Sequence, residues 1–596
     1  MKQYKLITYI FLLFFHTLLF SHQNILDKAV NLNLHTDEYW RGLLHFEGGK
    51  SIITDQDFFV AKDGNIDPKN ELIATLESIL KSSDFQCKYP ARVKWLENKL
   101  DMSFRKNNQC KALDHYLLKN YKKLHIVFTS QRYDIPDSLF GHIFLKVNTN
   151  DIEYAINYTA QIPKNKNHFA HIYKGLNGKY PSSYTLSPFS QKDYEYRAKE
   201  FRDLFQFELE YSKQEIENIM LHLYEIQDIP QDYYFISRNC SSELLKLLNM
   251  ANYQKKIQNK SSQPTLPVDI IYHLEDTNRI TNISTQYSKL KLFYQYEKKL
   301  NNYARDILER IILHKQSINA LDHDNNLNFE SKKDVILASI LYIEILSYSQ
   351  KFDRKYTYSL LKLIDLANKY KLKRDFESTK NLASNPLSNK LHKISFATQH
   401  NTKSSDAFTF GYKYLSKNRF DFMQETAQNG TVEFFDIKLK KQNDKLKLDK
   451  LILFNIEAMP LSNNFFTNNT KKVTLGAKRL FYEDDLYNFF NYGLGYKRSL
   501  YPNINYHFMG SVGLYYFGEP LLQGSLQSSI EYLHQNTFTT ELKLELHSLT
   551  NGQNTQKITL NKHLRLNKST VINLIAQHNK NSKEYINFLF QYTLLF

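Results

Sequence analysis

The chain has 596 residues, 78 Lys+Arg against 61 Asp+Glu for a formal charge of +17, and 42% hydrophobic residues, 14% of the total being aromatic. At ~100–200 residues per domain that length asks for more than one domain, its apolar content rules out wholesale disorder, and 17 Gly with 13 Pro exclude a collagen-like or linker-dominated chain. The positive charge is scattered Lys without zinc-finger spacing, P-loop or RNP pattern, so nucleic acid is not an expected partner, whereas anionic lipid headgroups fit the same charge.

Lys2 and Lys5 followed by the apolar run Leu6 to Phe20 read as a signal peptide over residues 1–22, the alternative being a short membrane anchor. Export places Cys87, Cys110 and Cys240 in an oxidising compartment. Cys87 and Cys110 are close in sequence and flank a helix-like stretch at Trp95-Leu96, so they are the natural disulfide and Cys240 is the odd thiol. Residues 24–120 read as a helical N-terminal part, with periodic apolar positions over 71–80. Residues 121–265 form a candidate catalytic core. It opens with Leu124 to Thr129 and a β-hairpin in which Ile143, Leu145 and Val147 face Ile152, Tyr154 and Ile156 across Asn148-Thr149-Asn150-Asp151.

Further along, Ser190–Ile226 reads as helical. Phe201, Leu204, Phe205 and Leu209 make its apolar side, and Glu200, Arg202, Asp203 and Glu208 its solvated or ion-paired side. His168 and His171 fall in a loop-like stretch without completing ligands, so no metal site is expected. Gly175 and Gly178 mark a tight turn. Residues 266–388 read as a helical connector. From 389 to 596 short alternating segments repeat to the end, as in Phe538, Thr540, Leu542, Leu544 and Leu546, or Ile586, Phe588, Phe590, Tyr592, Leu594 and Phe596. About ten to twelve strands of ~10 residues each, in an exported chain, favour an outer-membrane β-barrel over a soluble sandwich. The aromatic last strand resembles the signal read by barrel-assembly machinery.

The candidate chemistry centres on Asn239-Cys240-Ser241-Ser242-Glu243, which leads into an apolar helical run. Asn239 is a good N-cap and puts Cys240 in the first turn, where the helix dipole favours the thiolate. Alone, such a cysteine reads as a small buried hydrophobe. The partner signal is Ser138-Leu139-Phe140-Gly141-His142 at the start of the hairpin, with Ser138 and Gly141 as supporting residues. A hairpin loop of Thr149-Asn150 or of 148–151 sets His142 opposite Asn157 on the face away from Ile143, Leu145 and Val147. Cys, His and Asn so placed form a papain-like trio, with Asn157 orienting the imidazole. The blander reading makes His142 and Asn157 ordinary strand and turn polar residues. Tyr233-Tyr234-Phe235 reads as core or as the lining of an acyl groove.

Ser-Leu-Phe-Gly-His-Ile-Phe-Leu-Lys at 138–146, Tyr-Ala-Ile-Asn-Tyr at 154–158 and Asp-Tyr-Tyr-Phe-Ile-Ser-Arg-Asn-Cys-Ser-Ser at 232–242 resemble the N-terminal periplasmic domain of the Lnb family. Cys-Lys-Tyr-Pro-Ala-Arg-Val-Lys-Trp-Leu at 87–96 and Glu-Phe-Arg-Asp-Leu at 200–204 also match its pattern, and the barrel-like part resembles an extension carried by proteobacterial members. The resemblance implies an α+β, permuted NlpC/P60-like papain fold with the His strand before the Cys helix. It implies an acyltransferase without a cofactor, moving an acyl chain from a phospholipid through a Cys240 thioester to a lipoprotein amine, with His142 as base. The expected location is the outer membrane, with the catalytic domain in the periplasm. Two other readings stand beside it: a peptidoglycan peptidase or amidase using the same trio, and a non-catalytic barrel whose periplasmic domain only binds.

Overall fold

The computed structural model describes residues 23–596, apart from 105–109, 118–119, 136–137, 164–167, 254–255, 258–264, 348–352, 373–389, 421–428, 481–484, 502, 535–537, 568 and 582–583. The signal peptide expected over 1–22 thus lies outside the described residues. The chain divides into two compact units, one of Met1–Phe128, His142–Lys192 and Gln206–Ile283, the other of Thr129–Gly141, Asp193–Phe205 and Ser284–Phe596.

In the first unit, helix α1 (Pro68–Lys81) is started by Asp67, whose carboxylate accepts from the Lys69 and Asn70 N–H groups, and by a proline in the first turn. Its buried Leu72, Leu76 and Ile79 share one helical stripe, and helix α2 (Pro90–Leu100) follows. Between them Arg92 is fully buried and ion-paired with Glu71 at 2.7 Å, while its Nε lies 3.7 Å from Glu225. Cys87 and Cys110 are disulfide-bonded. The 24–120 stretch also holds a two-stranded hairpin, Phe46–Glu47 with Lys50–Ser51.

The layer that carries the site is a seven-stranded sheet. Its strands are β1 (Lys123–Thr129), β2 (His142–Asn148), β3 (Glu153–Ala160), β4 (Tyr180–Pro188), β5 (Leu204–Leu209), β6 (Gln231–Tyr233) and β7 (Ile280–Gln286), in the order β6-β4-β3-β2-β1-β5-β7. Central β2 is buried from Ile143 to Val147 on both faces, as a covered inner strand must be. The unit also contains helices α3 (His168–Leu176), α4 (Lys213–Ile226), α5 (Cys240–Asn249) and α6 (Pro267–Asp276), and α5 packs on β2 and β3.

Three local readings are corrected here. Residues 204–209 form a strand rather than part of a helix: Leu204, Phe205, Gln206, Phe207 and Leu209 are all buried, and strand pairing outweighs the helical spacing of the apolar positions. Of the two alternatives for the polar side, Arg202 and Asp203 are buried and ion-paired: Arg202 pairs with Glu200 at 3.0 Å and donates to the Ser130 carbonyl at 2.6 Å, and Asp203 accepts from Lys291 at 3.2 Å. Residues 168–176 form a helix instead of a loop, and Gly175 lies inside it, where the Phe235 ring leaves no room for a Cβ.

The second unit contains a helical group, α7 (Lys289–Glu297), α8 (Asn302–Ile312), α9 (Phe329–Leu346) and α10 (Arg354–Lys369), around a core that includes Phe293, Leu308, Ile340 and Leu363. It also contains twelve long antiparallel strands: β8 (Lys393–Asn401), β9 (Ser404–Lys417), β10 (Gly430–Gln442), β11 (Lys445–Ala458), β12 (Thr470–Arg479), β13 (Leu486–Tyr501), β14 (Ile504–Phe517), β15 (Glu519–His534), β16 (Phe538–Leu549), β17 (Asn554–Asn567), β18 (Thr570–Lys580) and β19 (Glu584–Leu595). Each pairs with the next, and β8 pairs with β19, so the sheet closes into a barrel. Alternate side chains of β13 (Phe490, Tyr492, Leu494, Tyr496) and of β19 (Ile586, Phe588, Phe590, Leu594) point outward and are exposed, whereas Lys497, Glu531, Glu541 and Thr593 are buried inside. An apolar exterior around a polar interior is the inverse of a soluble barrel and suits a bilayer.

Candidate active site

Gly141 sits at φ 88°, a backbone region a side chain resists, and its N–H donates to the Ser138 carbonyl at 3.1 Å. That turn delivers His142 as the first residue of β2. The Ser138 carbonyl also accepts from the Arg132 N–H at 3.0 Å, and its hydroxyl lies 3.4 Å from an Arg202 guanidinium nitrogen. Ser138 therefore spends its polar groups on the loop that leads into the strand.

His142 Nε2 lies 2.7 Å from Asn157 Oδ1. The expected register is corrected, however. Asn148 pairs with Glu153 and Leu145 with Ile156, so the paired positions are offset by two residues from the expected ones, and the same register continued sets Thr159 opposite His142. The loop is 149–152, closed by the Thr149 hydroxyl, which donates to the Ile152 carbonyl at 2.8 Å and lies near the Asp151 and Ile152 N–H groups. A shift of two preserves the face on which every side chain stands. Asn157 is thus a diagonal neighbour of His142, still within reach.

Asn157 is fully buried, and its Nδ2 has no partner among the described residues. With Oδ1 accepting, His142 carries its proton on Nε2, which leaves the Nδ1 lone pair for the thiol.

Cys240 is the first residue of α5, 5% exposed and not disulfide-bonded. Asn239 caps the helix, its Oδ1 accepting from the Ser241 and Ser242 N–H groups at 2.9 and 3.2 Å while the Ser242 hydroxyl accepts from the Asn239 N–H at 3.0 Å. Its Nδ2 donates to the Thr265 carbonyl at 3.1 Å, so both ends of the Asn239 amide are spent on positioning the helix. Burial pushes the Cys240 thiol up. The charge and hydrogen bond of His142, the Ile143 N–H and the Ser241 hydroxyl outweigh it and bring the thiol down to about 7. Two contributors escape a sequence reading: Ile143 acts through its backbone, and Ser241 shows only as the residue after the cysteine. Tyr184, from β4, donates its hydroxyl to the Glu243 carbonyl at 2.9 Å and ties the first turns of α5 to the sheet.

The arrangement can therefore hold a thiolate, move a proton at His142 Nδ1 and keep the imidazole in one tautomer. These are the parts of nucleophilic acyl transfer. His171, on α3, is buried and hydrogen-bonded to the Tyr180 hydroxyl at 3.0 Å.

Comparison with known proteins matches residues 115–277 to the Lnb N-terminal periplasmic domain. Residues 32–99 and 383–592 match two domains of unknown function, DUF7843 and DUF7840. No curated protein matches the chain. Among solved structures, the KdgM porin is 9% identical with a TM-score of 0.22, over 34% of this chain and 99% of that one. An outer membrane channel from Pseudomonas putida F1 is 10% identical with a TM-score of 0.26, over 35% and 96%. The anion-selective porin from Comamonas acidovorans is 8% identical with a TM-score of 0.21, over 35% and 98%. The barrel is established by its own strand pairing and its apolar belt. Together with the match to a periplasmic-domain family, it makes the chain an outer-membrane protein with a periplasmic domain.

Proposed function

We propose that the chain is a Cys–His acyltransferase of the periplasmic membrane surface, which takes an acyl chain from a phospholipid, holds it as a Cys240 thioester and passes it to a lipoprotein amine. The observation that carries this reading is the 2.7 Å His142–Asn157 pair beside a buried thiol lowered to about 7 at a helix N-terminus. The match of 115–277 to the Lnb periplasmic domain supports it, and the permuted papain-like description of this unit belongs to the same proposal.

In the first half-reaction His142 Nδ1 takes the thiol proton and the sulfur attacks the ester carbonyl. The S–C bond forms, the C–O bond breaks, and His142 returns the proton to the departing lysophospholipid alcohol. In the second, the α-amine of a diacylglyceryl-cysteine attacks the thioester carbonyl. His142 accepts the amine proton, the amide forms and the Cys240 thiolate leaves. The Cys240 N–H, in the first helical turn and without an intrahelical acceptor, is the proposed oxyanion donor. Asn157 holds the imidazole throughout. A barrel anchor gives a domain with two lipid-borne substrates a reason to stay at a membrane.

The test is to incubate detergent-solubilised full-length protein with a phospholipid radiolabelled in its acyl chains, quench in acid and measure protein-bound label. Label in wild type that neutral hydroxylamine releases, absent from Cys240→Ser and depressed in His142→Ala, is the expected result. No label on a wild-type protein whose Cys240 still reacts with a thiol probe would overturn the lipid reading, and peptidoglycan fragments would then be tried on the same trio.

A further inference from the structure

We infer that the barrel lumen is sealed by the chain itself, through Arg419 and Phe420, so that the barrel does not act as a pore. Both residues follow β9 after Asn418, at the barrel end where β9 finishes and β10 begins. Instead of turning away, they enter the lumen. Arg419 is 9% and Phe420 8% exposed.

The Arg419 guanidinium meets three carboxylates from different parts of the wall. Nη1 donates to Glu457 on β11 at 3.1 Å, Nη2 to Glu541 on β16 at 2.6 Å, and Nε is ion-paired with Glu531 on β15 at 3.1 Å. Around the closed barrel, β12, β13, β14 and β15 stand between β11 and β16, so one side chain joins walls on opposite sides of the lumen. Nη1 also lies 3.0 Å from the Met459 sulfur, and the Arg419 N–H donates to the Thr431 hydroxyl at 3.3 Å.

Phe420 extends the crossing. Its ring lies under the Arg419 guanidinium at 4.7 Å and against the His563 ring of β17 at 5.9 Å. On the β13–β15 side of the crossing Lys497 of β13 pairs with Glu531 at 2.6 Å, both residues being 2% exposed or less. What stays open beside the crossing is a cavity of about 320 Å³, lined by Lys393, Lys413, Asn455, Asn561 and Gln591 among others.

A surface ion pair would be dispensable, but this one is buried. An arginine that bridges three carboxylates across a lumen is held by all of them, and removing it leaves three buried carboxylates without that counter-charge. An anchor needs only an outer face that lipid accepts, and a sealed interior costs it nothing.

The experiment is single-channel recording on the full-length protein in planar bilayers in potassium chloride, with heat-modifiable migration on gels as the test of barrel folding. Wild type should show no conductance steps, and Arg419→Ala/Phe420→Ala should show them. Since the bare double variant leaves an excess of carboxylate that can spoil folding, the charge-matched Arg419→Ala/Phe420→Ala/Glu541→Gln is recorded alongside. Steps in wild type of the same size as in the variants would overturn the seal. Silence in a variant that is folded by the gel criterion would equally overturn the assignment, because the wall side chains would then close the lumen without Arg419 and Phe420.

Discussion

At Cys240, burial disfavours the charged sulfur while an imidazole, a backbone N–H and a hydroxyl favour it, and the second group wins. Because the fold depresses this thiol, the thiolate dominates above about 7 and is lost as the pH falls through that value. Cys87 and Cys110 are bonded to each other, so alkylation reports Cys240 alone. The iodoacetamide rate should therefore rise with an inflection near 7, and His142→Ala should move that inflection upward. Asn157→Ala removes a hydrogen bond to a ring that, in the proposed mechanism, becomes charged during turnover. At ~1.5–3 kcal/mol for such a bond, the proposed acyl transfer should fall roughly 10–100-fold in kcat with little change in KM, as read in a label-transfer assay. Both residues were legible from the sequence because strand parity survives a two-residue error in register, whereas the Ile143 N–H has no signature in the sequence. The Thr149 hydroxyl that closes the loop decides the register, and its choice among several turn lengths is not written in the hairpin's apolar pattern.

Among the elements, α5 and α2 are held in different ways, and their failures should differ. Asn239 serves α5 as a cap with a reciprocal partner in Ser242, so Asn239→Ala should cost about 1 kcal/mol and shift the temperature at which this unit becomes sensitive to protease by ~2–4 °C. Arg92 holds α2 against α1 and α4 through Glu71 and Glu225, with no exposure to water. Arg92→Met should cost about 3–5 kcal/mol by the same measurement, because two carboxylates lose their counter-charge inside the fold. The strand at 204–209 shows why elements are harder to read than single residues. Its Phe205, Phe207 and Leu209 alternate as a strand should, yet Phe201, Leu204, Phe205 and Leu209 also satisfy a helical spacing. Only pairing within the sheet separates the two, and that pairing lies far away in sequence. Arg202 and Asp203, polar by type, are buried because the strand they precede is buried.

For the molecule as a whole, the barrel was legible because lipid imposes a rule on every second residue for some 200 positions, and a repeated weak signal becomes a strong one. Its interior was not legible, since the partners of Arg419 come from strands that only closure brings together. The two faces should therefore answer differently to the same change. Leu544, in the middle of β16, is 41% exposed and faces outward with Leu542 and Leu546, where the surroundings are acyl chains rather than water. An arginine there has no carboxylate and no solvent, so Leu544→Arg should destabilise the folded barrel by ~2–4 kcal/mol. Its neighbour Lys543 points inward and already carries the positive charge that Glu545 accepts at 3.2 Å, so Lys543→Arg should change stability by far less. Urea titrations of both variants in phosphatidylcholine vesicles, followed by heat-modifiable migration, compare the two directly. If this outer face met water instead of lipid, an added arginine at 544 would be nearly neutral, and the two variants would unfold together.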